Sequence, residues 1–271
     1  MPYTLAHPAA VLPLRRLCPR WLSWSALVIG ATTPDVEYFL KLEPGATWGP
    51  TLLGAVTFCL PVGLALFALW HGLLARPLTL LLPAPWRERL WPVVARPLPL
   101  GGPFLLRVLV SVLLGAWSHQ VWDAFTHGHG WGVRAFPALA TTLVRIEDYD
   151  LTVCRVIQHG STFLGAALLA RAARRALRDA PRVPAPSLPK RERDVLRLAL
   201  VAFPLVTSIA LALLRAQDRT GVNLVRELAS ALAIGVVSFG ALGATAVALY
   251  LRLRGERTRG GADPSGTAPT G

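Results

Sequence analysis

"FLLRVLVSVLLGAWSHQVWDAF", residues 104–125, decides the class of fold. It is a 22-residue apolar run whose charged members are Arg107, near its start, and Asp123, near its end. A bilayer core takes about 20 such residues as one helix. The run then continues into "THGHGWG", so His119, Asp123, His127 and His129 crowd the end of a segment otherwise suited to lipid.

The rest of the chain supports a membrane assignment. Of 271 residues, 53% are hydrophobic and 16% charged, where soluble domains carry about a quarter charged. Further windows of spanning length are Thr51–Leu74, Leu196–Leu214 and Leu228–Leu251, while Val156–Ala170 is short. "WLSWSALVIGATTPDVEYFL", residues 21–40, looks like another span but breaks. Gly30 reads as a helix stop, and Thr33 followed by Pro34 reads as an N-cap and first helical position. The first piece, Trp21–Ile29, would be about 13 Å long at 1.5 Å per residue, too short to cross. The expectation is an all-α polytopic membrane bundle of five to six spans with a broken N-terminal hairpin. Its parts would be a membrane domain 1–170 carrying the polar site, a basic Pro-rich cytoplasmic linker 171–195, two transmembrane helices 196–252, and a disordered tail 253–271.

The net charge of +13 could point to nucleic acid. The basic residues, however, gather in particular loops rather than over a face interleaved with aromatics. Loop 76–99 holds four arginines against Glu88, and 171–197 holds nine basic residues against three acids. Loop 126–152 instead carries Glu147, Asp148 and Asp150 against Arg134 and Arg145. This alternation follows the positive-inside rule. It puts the basic loops and the C-terminus in the cytoplasm of a cell whose plasma membrane holds the protein, with lipids as partners and nucleic acid excluded. Arg15, Arg16 and Arg20 run against that tendency if the N-terminus is outside. Cys18, Cys59 and Cys154 have no close spacing and read as small apolar residues.

His119, Asp123 and His127 follow one another at steps of four, about 40° apart on a helix, so they form one stripe. The bland alternative is an interfacial belt with Trp117, Trp122 and Trp131. A carboxylate inside a span is harder to dismiss, since it costs roughly 2.5–3.5 kcal/mol at the membrane centre and is usually paired or functional. Imidazole and carboxylate one turn apart suit a divalent cation such as zinc. Further ligands would come from Asp35, whose alternative role is to compensate a helix dipole, from His159, or from His7. His129 reads as a loop residue and His71 falls at the opposite end of its span. Glu37 is a candidate second-shell partner or general base, although an offset of two from Asp35 places it on another face. Glu147, Asp148 and Asp150 read as a solvated loop.

Several phrases carry a family resemblance: "PYTLAHPAAVLPL", "ALVIGATTPDVEYFL", "TLLGAVTFCLPVGLALFALWHGLLARPL", "LLGAWSHQVWDAFTHGHGW" and "VIQHGSTFLG". Over residues 2–165 the chain resembles a bacterial family of multi-pass membrane proteins catalogued as domain of unknown function 4184, which has no established activity. More distantly it resembles membrane-bound metal-dependent hydrolases of bacterial inner membranes, which share an early His, a Pro-Asp pair and a later His-x-x-x-Asp. That resemblance implies His7, Asp35, His119 and Asp123 as metal ligands. Those hydrolases often carry a further His after the Pro-Asp segment, where this chain reads "GATWGPTLLG". His127 or His159 would then complete the set or carry protons. The expected function is a metal-dependent hydrolase of a lipid-like or phosphoester substrate, with zinc as cofactor. The alternatives are a transporter or carrier relaying protons through His and Asp, and a structural membrane protein.

Overall fold

A computed structural model of the chain describes residues 4–17, 20–147 and 149–260. A 3-10 turn, Thr4–Val11, opens the chain and leads into α1 (Leu12–Leu17). Then follow α2 (Trp24–Gly30), a 3-10 turn Thr33–Asp35 and α3 (Val36–Lys41). The long rod α4 (Leu52–Leu80) is succeeded by α5 (Ala84–Val94), α6 (Gly102–Thr126) and α7 (Trp131–Ala135). A hairpin of β1 (Thr142–Ile146) and β2 (Tyr149–Thr152) precedes α8 (Val153–Asp179), α9 (Lys190–Ala216) and α10 (Gly221–Gly260).

Among the described residues, four helices are long and apolar enough to cross a membrane: Leu52–Leu80, Gly102–Thr126, Lys190–Ala216 and Gly221–Gly255. The shortest has 25 residues, about 38 Å at 1.5 Å per residue, which exceeds a hydrocarbon core of about 30 Å. Their outward faces are apolar, as lipid requires: Leu106, Leu198, Val206 and Leu213 are all more than 60% exposed. The 27-residue α8 has the length to cross, but Arg155 and the arginines from Arg171 onward keep its hydropathy lower. The protein is a helical membrane bundle.

The rods α4 and α6 run antiparallel, as do α9 and α10, while α4 and α10 run parallel, and the contacts between them sort the loops into two ends. Gln120 near the end of α6 donates to the carbonyls of Gly49 and Thr51 at the start of α4 (2.8 and 2.9 Å). Arg215 at the end of α9 donates to Leu42 O (2.5 Å), and Ser238 of α10 to Phe39 O (2.9 Å). At the other end Arg197 donates to Leu81 O (2.6 Å), Val183 N to Glu88 O (3.1 Å), and Leu81 packs on Val247 and Leu251. The basic extension Arg171–Arg178 continues α8 as helix, and α10 stays helical to Gly260, beyond the expected end of order at 252. Residues 261–271, Cys18 and Asp148 lie outside the described residues.

The hairpin at 21–40 is broken as its Gly and Pro foretell, but the cap differs. Thr33 Oγ1 bonds back to Gly30 O (2.7 Å) instead of capping forward. Gly30 is more than a stop: a Cβ there would lie 2.2 Å from Val112 O. A Cβ on Gly115 would lie 2.4 Å from Leu27 O and 2.6 Å from Ala31 N. Two glycines thus let α2 and α6 approach backbone to backbone, the usual role of small residues between membrane helices.

Pro61 removes one rung of the α4 ladder, and the preceding residues Ala55–Cys59 widen into a π turn that takes up the mismatch. The sequence reading missed the β hairpin, whose turn places Glu147 at φ 51°. Glu147 is an exposed loop acid as expected, and its carboxylate also accepts the Val222 amide (3.0 Å) at the start of α10. Asp150 pairs with Arg145 (2.5 Å).

Glu37 is buried but faces away from the histidines. It accepts from Lys41 Nζ (2.5 Å), Thr47 Oγ1 (2.6 Å) and the amides of Thr47 and Trp48 (2.8 and 3.0 Å). Burial pushes its carboxyl up, yet the Lys41, Thr47 and Trp48 hydrogen bonds outweigh that and hold it at about 2. A lowered folded-state value contributes stability above the ordinary carboxylate range, and that contribution fades as pH falls from there through about 2. Glu37→Gln is therefore expected to loosen the segment around Thr47 at neutral pH. Proteolysis or amide exchange of residues 42–50 would show it, with little difference from the parent near pH 2.

Candidate metal centre

Three separated pieces of chain deliver four polar side chains to one point. Asp123 and His119 lie one turn apart on α6. Asp35 arrives on the turn after α2, and His7 on the opening turn, which packs against α6 and α8. His7, Asp35 and His119 are 4%, 2% and 1% exposed, so none of them is a surface group.

The distances suit a cation. At bonds of about 2.0–2.2 Å, two ligands of a tetrahedral ion stand about 3.3–3.6 Å apart. His119 Nε2 lies 3.2 Å from Asp123 Oδ2 and 3.4 Å from Asp35 Oδ1. His7 Nε2 lies 3.6 Å from Asp123 Oδ1. The His7 and His119 rings stack, with centroids 3.6 Å apart and an angle of 14° between planes. Ligand atoms of His7, His119 and Asp123 all fall within 4.8 Å of one another, so these three could hold a metal ion.

Hydrogen bonding tests the fit. Nδ1 of His119 stands 2.8 Å from Ala31 O. A carbonyl only accepts, so Nδ1 carries a proton, and Nε2 faces the two carboxylates, where it can ligate a cation or, without one, take a second proton. That is the usual arrangement of a metal-binding histidine oriented by a backbone carbonyl. Among the described residues, both nitrogens of His7 and Asp123 Oδ1 are buried with no hydrogen-bond partner, and the buried His119 Nε2 has only the two carboxylates. Buried polar atoms without partners are rare and costly, and here they converge. A divalent cation would satisfy them together.

The surroundings hold the ligands. Thr4 Oγ1 donates to Asp35 Oδ2 (2.5 Å), which leaves Oδ1 directed at His119. Asp35 makes no side-chain cap for α3, so dipole compensation is not where its oxygens go. Burial, then the neighbouring His119, push the His7 imidazole down to about 4 against the opposing pull of Asp123 and Asp35. His7 is therefore neutral at physiological pH.

Of the two further histidines, His127 joins the rim and His159 does not. His127 Nδ1 is 3.6 Å from Asp123 Oδ1. Its Nε2 is 3.1 Å from the amide nitrogen of Gln158. His159 is exposed on α8. Successive helix residues point about 100° apart, so a buried Gln158 turns His159 outward. Gln158 is the residue sequence reasoning missed, and its only prior signal was being a polar residue inside an apolar window. His129 is exposed, and His71 sits elsewhere, bonded to Ser25 Oγ (2.9 Å).

Because Thr4 aims Asp35, Thr4→Val should weaken divalent-metal binding at this cluster about 10–100-fold, the usual cost of losing an orienting partner. Competition with a chromogenic chelator would measure it, and unchanged affinity would remove Asp35 from the ligand set.

No curated protein and no solved structure gives a significant match to the chain. A family model does, over residues 1–251, which takes in the opening turn, all four ligand candidates, three of the four spans and most of the fourth. The chain belongs to the family described as domain of unknown function 4184.

Proposed function

We propose that the protein is a metal-dependent hydrolase of the bacterial plasma membrane, with zinc held by His7, His119 and Asp123 and the fourth position shared between Asp35 and a water. The observation that carries this is the convergence of unpartnered buried nitrogen and oxygen atoms at tetrahedral spacing. Two imidazoles and carboxylates are the donor set zinc takes in catalytic sites. When bound, such a cation lowers the pKa of a water to near 7 and polarises an ester or phosphoester oxygen.

The chain's own residues supply the rest. Asp35 and Asp123 bring the negative charge that keeps a cation in an apolar surrounding. His127, on the rim with Gln158 against Nε2 and Nδ1 toward Asp123, is placed to take a proton from the attacking water and return it to the leaving oxygen, a role worth 10²–10⁴-fold. The basic loops lie at the opposite end of the bundle, and by the positive-inside tendency that supports a site at the outer leaflet.

Elemental analysis of protein purified without chelators tests the reading. About one zinc per chain is expected, and its loss in His119→Ala. A protein free of divalent metal after careful handling would leave the proton-carrier reading in its place, because the same four groups would then be a buried titratable network.

A further inference from the structure

A cavity of about 170 Å³ opens beside the histidine cluster. One wall is the opening turn, with Ala6, Ala9 and Ala10. The other is α8, with Leu164, Gly165 and Leu168. His7 and Trp122 line its inner part, where Trp122 Nε1 donates to Ser161 Oγ (3.3 Å) and ties α6 to α8. His7 therefore belongs both to the cavity and to the metal cluster. Gly165 keeps the slot's floor thin, since a Cβ there would lie 2.9 Å from Ala6 O.

The slot opens on an exposed apolar face, the kind of surface a bilayer covers. Leu164 is 62% exposed, Leu168 43%, and the adjacent Phe163 77%. At about 30 Å³ for each water-sized unit, the volume takes five or six links of an unbranched chain. Alanines and glycine leave it narrow, which excludes rings and branched groups.

We propose that this slot seats one acyl chain of a membrane lipid entering sideways from the bilayer, so that the ester or phosphoester at its head lies beside His7. The substrate class is thus an acyl lipid rather than a water-soluble ester. This assignment of substrate rests on the metal-dependent hydrolase reading, but occupation of the slot is measurable without turnover.

The test places the full chain in phosphatidylglycerol vesicles doped with phosphatidylglycerol that carries a diazirine in one acyl chain. After irradiation the adducts are mapped by peptide mass spectrometry, and zinc is measured on the same samples. Adducts should concentrate on residues 6–10 and 161–168 over the lipid-facing Leu198, Val206 and Leu213 of α9. Ala10→Phe or Leu168→Trp should cut slot labelling roughly tenfold, the effect of excluding about two methylenes, with zinc content unchanged. Phe163→Ala, outside the slot, should leave it as it was. Diffuse labelling in a zinc-loaded protein, or slot labelling indifferent to both filling variants, would overturn the acyl slot alone. Slot labelling that the filling variants abolish, in a protein without zinc, would uphold the slot and end the hydrolase reading.

Discussion

Asp123→Asn is expected to lose far more stability with zinc present than without it. In zinc-replete detergent solution the variant should unfold well below the parent. A ligand at about 1,000 times its Kd stabilises the folded state by about 4 kcal/mol, and Asn cannot supply the second anionic oxygen that bridges toward His7 and His119. After chelation the gap should narrow. Without a cation, the parent keeps His119 Nε2 between Asp35 Oδ1 and Asp123 Oδ2 at 3.4 and 3.2 Å, where a proton on Nε2 makes an ion pair that neutral Asn weakens. Against that loss, Asn removes the cost of a charge in a span, put at roughly 2.5–3.5 kcal/mol at the membrane centre and less toward its ends. Thermal unfolding of both proteins with zinc and with chelator, four curves in all, measures the difference. Curves that shift equally in both conditions would mean that Asp123 merely joins helices, and the metal centre would be lost with that result.

Why this site was partly legible beforehand is a matter of spacing. His119 and Asp123 share a helix stripe at an offset of four, and that periodicity needs no tertiary knowledge. Asp35 after Pro34 was visible because Gly30 and Pro34 both interrupt an apolar run too short to cross in pieces. His7 had no local signal; it became a candidate because a hairpin that does not cross leaves the N-terminus on the same side as His119, and the family resemblance then put it in the ligand set. Tertiary contact decides what stayed hidden. Gln158 and His159 differ by one residue, and only the packing of α8 against the opening turn sets which points inward. Gly30 looked like punctuation in one dimension because its reason, the Val112 carbonyl, lies 82 positions away. The role of Glu147 at the start of α10 likewise depends on a chain end 75 residues on. In the membrane-spanning part, length and hydropathy read the four strongest spans directly, since the bilayer imposes both on each helix separately. Contacts between helices carry no such local imprint.

Gly115→Val is expected to have the second large effect, and it joins the fold to the site. The added Cβ would lie 2.4 Å from Leu27 O and 2.6 Å from Ala31 N, and backbone atoms cannot rotate aside as a side chain can. Overpacking a filled interior costs typically 1–3 kcal/mol, and a clash with main chain on two sides belongs at the upper end. To relieve it, α2 must move off α6. That motion carries away Ala31 O, the acceptor 2.8 Å from His119 Nδ1, and shifts Asp35 four residues further on. The variant should therefore lose thermal stability and also bind zinc at least tenfold more weakly, in keeping with the 10–100-fold loss when a ligand's orienting partner goes. Gly240→Ala supplies the contrast. No atom lies within 4 Å of a Cβ there, so the substitution should be neutral or add up to about 1 kcal/mol from helix propensity, with zinc affinity unchanged. A Gly115→Val protein that unfolds early yet binds zinc as tightly as the parent would separate the seam from the site and show that Ala31 does not orient His119.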